Sequence, residues 1–133
     1  MKIMVTGGRD YNDEEFVRAT FNAFEYAHGR VDTLVVGDAT GLDSIAKVLG
    51  YEFGWDVKVY YADWKKFGKC AGNIRNGWMV KTKPDFCLPF PGGRGTADAV
   101  RQATKAGIPL FYKDDQCQIL QLSVLSSKRK TRA

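Results

Sequence analysis

The stretch Phe86-Cys87-Leu88-Pro89-Phe90-Pro91-Gly92-Gly93-Arg94-Gly95-Thr96 decides how this chain is read. Apolar, strand-like residues 86–88 lead into a glycine-rich turn, and a helix-like segment, 97–106, leads out. Gly92, Gly93 and Gly95 let the backbone approach a ligand with no Cβ in the way. A helix starting just after them turns free N–H groups and its positive dipole end toward the same spot. Such a junction holds a phosphate or carboxylate without help from a cationic side chain. Pro89 suits only the carboxyl end of the strand.

Two further junctions repeat the design. Gly7-Gly8-Arg9-Asp10 follows the apolar residues 3–5, and Gly37-Asp38-Ala39-Thr40-Gly41-Leu42-Asp43 follows 34–36. The pattern predicts strands over 2–6, 31–36, 57–61, 85–88 and 108–112. It predicts helices over 13–28, 43–53, 73–80 and 97–106, and a long polar and aromatic loop over 62–72. Residues 116–125 read equally as an edge strand or a short helix. Strands alternating with helices, and apolar throughout, imply a mostly parallel sheet of five or six strands covered on both faces. In such a sheet all three glycine loops gather at the carboxyl edge, where open α/β folds bind ligands.

With 133 residues the chain fits one domain, expected over 1–125. A chain of this size buries roughly 70% of its unfolded surface, and 44% hydrophobic content argues against disorder. No apolar run approaches the ~20 residues that span a bilayer, so a cytoplasmic protein without membrane contact is expected. The net charge of +5 resides mostly in the tail 126–133: Lys128, Arg129, Lys130 and Arg132 lie in the last six residues. Without them 16 cations face 15 anions. The tail reads as solvated, or as a non-specific contact for nucleic acid. Cys70, Cys87 and Cys117 are odd in number and lack CxxC spacing, against a disulfide framework or a zinc knuckle. One histidine, His28, excludes most Ser-His and Cys-His sites and His/Cys metal sites; it suits a helix C-terminus. Neither a metal nor a cofactor is expected.

Several residues could carry chemistry. Arg9 and Arg94 sit in glycine loops and can close over an anion, or be solvated. Trp64 can stack on a base or pin the 62–72 loop to the core. Arg75 falls early in a helix, where a cation opposes the dipole. That favours a phosphate or ribose contact over a structural ion pair. Asn76 can bond a base or sugar, or tie down a loop. Thr96 can cap its helix or bond a phosphate. Asp98 suits a ribose hydroxyl or the helix alone. Acid–base work would fall to Asp10, Asp38, Asp43, Asp63 or Asp98.

The run Pro91-Gly92-Gly93-Arg94-Gly95-Thr96 resembles the PGGxGT motif of the SLOG superfamily. That group includes the LOG phosphoribohydrolases, DNA-processing protein A and ADP-ribose-type sensor domains. The best match is its YspA-like branch of bacterial and phage proteins. It runs through Gly7 to Tyr11, Gly37 to Asp43, Ala62-Asp63-Trp64, Ile74-Arg75-Asn76, the PGGRGTAD run and Ala106 to Pro109. The resemblance implies a Rossmann-like α/β/α sandwich binding a nucleotide or nucleotide derivative. Related folds are often dimers, so self-association is expected. In LOG enzymes an arginine and a glutamate cleave the N-glycosidic bond of a nucleoside monophosphate. Arg75 matches the arginine, but the glutamate position is Ala99, with Asp98 beside it. Three readings follow: a binding module for an ADP-ribose-like ligand or nucleoside monophosphate, a nucleotide N-glycosidase using Arg75 and Asp98 or another carboxylate, and a single-stranded nucleic acid binder. A near-neutral body disfavours the last.

Overall fold

The computed structural model describes residues 1–113. Its strands are β1 (Lys2–Thr6), β2 (Thr33–Gly37), β3 (Asp56–Tyr60) and β4 (Phe86–Pro89). Its helices are α1 (Glu14–His28), α2 (Leu42–Glu52), α3 (Trp64–Phe67), α4 (Ala71–Lys81) and α5 (Arg94–Lys105), with a 3-10 turn, Gly68–Cys70, between α3 and α4. The strands form one parallel sheet in the order β3-β2-β1-β4.

Side chains of a strand alternate between faces, and here the alternation builds two cores. Ile3, Val5, Leu34, Val36 and Leu88 pack under α1 and α2, against Val17, Phe21, Phe24, Leu42 and Leu49. Met4, Val35 and Cys87 point the other way and meet Met79 of α4 with Ala99 and Ala103 of α5. The result is a three-layer α/β/α sandwich of Rossmann-like order. Strands β1 and β2 are covered on both faces, which is why they read as unbroken apolar runs; β3, at the edge, is partly exposed. Asp13 caps α1 by accepting from the Phe16 N–H at 3.0 Å. His28 ends that helix with its ring 4.5 Å from Phe86 and 5.0 Å from Phe24.

The sheet has four strands among the described residues, not five or six. The expected strand over 108–112 is one parallel bridge, Leu110 to Cys87. Cys87 donates to the Pro109 carbonyl at 2.9 Å and accepts from Phe111 at 3.0 Å. The next donor in a parallel ladder would be residue 89, and Pro89 has no N–H to give. Toward β1 the same proline is harmless, because there Phe90 donates to Thr6. Residues 116–125, Cys117 and the basic tail lie outside the described residues.

Two other expectations change. The 62–72 loop is mostly helical: Asp63 accepts from the Lys66 N–H at 3.0 Å and so caps α3. Helix α5 begins at Arg94, not residue 97, so Arg94, Gly95 and Thr96 form its first turn. Gly93 is its N-cap, and Thr96 makes no capping bond. No helix among the described residues is long and apolar enough to cross a membrane.

Candidate functional site

The strand order reverses between β1 and β4: β1 continues into a helix on one face, β4 into a helix on the other. A crevice opens at such a switch point. Here it is a cavity of about 750 Å³ at the carboxyl ends of the strands. Its walls come from the β1 and β2 loops, α3, the 3-10 turn, one face of α4 and the first turns of α5.

Close backbone approach shapes this cavity. The Gly8 N–H donates to the Pro91 carbonyl at 2.8 Å, joining the first and third glycine loops. The Leu42 N–H donates to the Gly8 carbonyl at 3.1 Å, joining the first and second. Gly41 has φ +70°, and a Cβ there would strike the carbonyls of Gly8 and Arg9. Thr96 packs its hydroxyl over Gly92, in space a side chain at 92 would need.

Of the residues singled out in the sequence, Gly7, Gly8, Arg9, Asp10, Gly37, Asp43, Trp64, Arg75, Asn76, Gly93, Arg94, Gly95, Thr96 and Asp98 line the cavity. Asp38, Gly41, Pro91 and Gly92 do not line it but adjoin residues that do: Asp38 pairs with Arg75, the Pro91 carbonyl accepts from Gly8, Gly41 abuts Gly8 and Arg9, and Gly92 abuts Thr96. Lys69, Asn73 and Arg101 also line it and escaped sequence reading. Arg101 was findable, since it lies one helical turn beyond Asp98 and donates to it at 3.0 Å. Lys69 carried no distinguishing signal within a run of lysines.

A polar chain crosses the floor. Arg75 is 8% exposed and donates through Nη1 to Asp38 Oδ1 at 2.8 Å and through Nε to Asn76 Oδ1 at 3.2 Å. Asn76 passes the contact on, donating to the Gly95 carbonyl at 3.2 Å and to Asp98 Oδ2 at 3.0 Å. Asp98 also accepts from Gln102 at 2.8 Å. Asp98 is thus bonded three times and ties α4 to α5. Arg75 is an ion-pair partner, yet its Nη2 finds no acceptor among the described residues. Ala99, at the LOG glutamate position, is fully buried in the core.

Asp43 is buried at the start of α2, accepting from the Ala39 N–H at 3.1 Å through Oδ2. Burial pushes its carboxyl up to about 6, against the opposing pull of the Ala39 N–H and the nearby Arg75. At the rim, Trp64 is 48% exposed, so it does not pin a loop to the core. Its ring lies where a Cβ on Gly72 would meet it at 3.4 Å, and the Arg9 guanidinium lies 5.5 Å above it, a cation–π contact. The lining carries five cations, Arg9, Lys69, Arg75, Arg94 and Arg101, against three acids, Asp10, Asp43 and Asp98. Arg9, Lys69 and Arg94 form no ion pair among the described residues. Nor do the described residues hold a cluster of three or more His, Cys, Asp or Glu suited to a metal.

A family model described as "YspA, cpYpsA-related SLOG family" matches residues 1–67, from β1 through α3. The Gene 61 protein of Mycobacterium phage D29 is 37% identical over 123 residues, a match covering 86% of this chain and 98% of that protein. The family match stops before Arg75 and the PGGRGT run, whereas the phage protein is similar across both halves. Fold order, glycine loops and these matches agree: the chain belongs to the YspA, cpYpsA-related SLOG family.

Proposed function

We propose that this protein binds a nucleotide or nucleotide-derived ligand, such as a nucleoside monophosphate or an ADP-ribose-like molecule, and acts as a sensing or sequestering module. The supporting observation is the cavity at the β1/β4 switch point, where the acid-free first turn of α5 faces a lining rich in unpaired cations. The phosphate takes the α5 N-terminus, with Arg9, Arg94 and Lys69 in reach to close over it. The exposed face of Trp64 offers the base a π surface. Membership in a SLOG family supports the same ligand class.

A second reading, nucleotide N-glycosidase, is favoured by Asp43. A carboxyl held near 6 beside a buried arginine is placed in the range for proton transfer at neutral pH. Asp98 suits that task less, because three donors already hold its carboxylate.

One experiment separates them. Purified protein is mixed with AMP, GMP, CMP, NAD and ADP-ribose, filtered rapidly, and both fractions are read by mass spectrometry. An intact nucleotide retained on the protein is the expected result. Free base with ribose phosphate in the filtrate, lost more than tenfold in Asp43→Asn, would establish the enzyme instead. Retention of no nucleotide, without any product, would overturn both.

A further inference from the structure

Asp43 and Arg75 have bonding capacity that the protein leaves unused. Each is more than nine-tenths buried, and both line the cavity. Asp43 spends Oδ2 on the Ala39 N–H, while Oδ1 meets no donor among the described residues. Arg75 spends Nε on Asn76 and Nη1 on Asp38 and, at 3.5 Å, the Tyr60 carbonyl, and Nη2 meets no acceptor among the described residues. The two side chains converge over Gly37: a Cβ at that position would lie 2.5 Å from Arg75 Nη1 and 2.7 Å from Asp43 Oδ2. Buried polar atoms are almost always bonded, so each that is not needs an explanation, and a bound ligand is one. Both side chains line one cavity, and an acceptor and a donor offered from neighbouring side chains match a hydroxyl group, since a hydroxyl donates and accepts at once.

The position along α4 says which hydroxyl. Gly72, Asn73, Arg75, Asn76 and Met79 are the residues of α4 that line the cavity. Gly72 lies beside the Trp64 ring, which a Cβ at that position would meet at 3.4 Å, and Asn76 donates to the carbonyl of Gly95 in the first turn of α5. Arg75 therefore lies between the aromatic rim and the anion cradle. In a nucleotide, the group between base and phosphate is the sugar.

We propose that Asp43 and Arg75 form a ribose-reading subsite: Asp43 Oδ1 accepts from a ribose hydroxyl, and Arg75 Nη2 donates to the hydroxyl oxygens. This rests on the nucleotide-binding reading and adds a selectivity, ribose over deoxyribose. A buried site built to bond a hydroxyl rejects the analogue without it, because its own groups are then left unpaired.

The test is calorimetric titration with AMP, GMP, CMP and ADP-ribose, each beside its 2′-deoxy counterpart, using wild type and Asp43→Ala. Asp43→Asn serves as the second variant, since it preserves side-chain shape and an acceptor for Ala39. Circular dichroism checks that both variants fold. Wild type should prefer the ribo form more than tenfold, and both variants should bring that ratio below about threefold. Nucleosides lacking phosphate should remain poor ligands for all three proteins. Equal affinity of wild type for ribo and deoxy forms, or variants that weaken both forms alike, would overturn the subsite and leave nucleotide binding intact. Failure of every nucleotide to bind would instead remove the nucleotide reading, and the subsite with it.

Discussion

Gly37 shows how one absent side chain holds the cavity floor together. Arg75 and Asp43 occupy the space a Cβ would take, so Gly37→Ala must push the guanidinium off Asp38 or bend the end of β2. Overpacking of this kind costs about 1–3 kcal/mol, and urea unfolding should show a loss in that range, together with weaker ligand binding. Asp43 carries a different signature. Its native carboxyl is raised above the ordinary carboxylate range to about 6, so the fold disfavours the charged form. Between about pH 4 and 6 the native state holds the proton more tightly than the unfolded chain does. Stability from this group is present below that window and is lost as pH rises through it. Asp43→Asn removes the dependence. Relative to wild type the variant should gain about 2–3 kcal/mol between pH 4 and pH 7.5, from a shift of about two units at ~1.4 kcal/mol each. Urea titrations at four pH values would read it; parallel curves for the two proteins would count against a perturbed Asp43.

At the scale of elements, the contact between α4 and α5 is polar where it meets the cavity. Asn76 bridges Gly95 and Asp98, and Gln102 reaches from Asp98 to the Asn73 carbonyl at 3.0 Å. Asn76→Ala should cost about 1–3 kcal/mol, the range for unpairing buried acceptors. It should also loosen the first turn of α5, seen as faster amide exchange there. The sequence disclosed this arrangement unevenly. Alternating apolar runs and glycine loops predict all four strands and helices α1, α2, α4 and α5, and Pro89 stands at the carboxyl end of β4 as its missing N–H requires. The reach of that one proline into the neighbouring ladder was not foreseen, because it depends on which side of β4 each N–H faces. Helix α3 was legible in principle from Asp63, a capping residue three positions before Lys66, but its aromatic and lysine content suggested a loop. The early start of α5 is masked by Gly93 and Gly95, residues that disfavour a helix interior but are tolerated at the N-cap and in the first turn. The cavity residues were largely legible, since glycine loops at strand ends must converge. The Asn76–Asp98 bridge was not, because pairing across two helices has no sequence period.

Across the whole molecule, charge is distributed with a purpose that the net value conceals. Without its tail the chain is close to neutral, yet the cavity lining has five cations against three acids. A concave site with excess charge of one sign concentrates its field and draws a small anion inward. The family match spans β1 through α3, while the α5 N-terminus belongs to the second half, so the proposed site joins both halves of the sheet across the switch point. The most direct measurement is hydrogen–deuterium exchange with and without saturating AMP or ADP-ribose. Protection should appear in peptides covering residues 7–10 and 92–98, with less change over β3 and the far end of α1. Protection confined to another surface, or none with any nucleotide, would contradict the placement of a nucleotide at the carboxyl edge of this sheet.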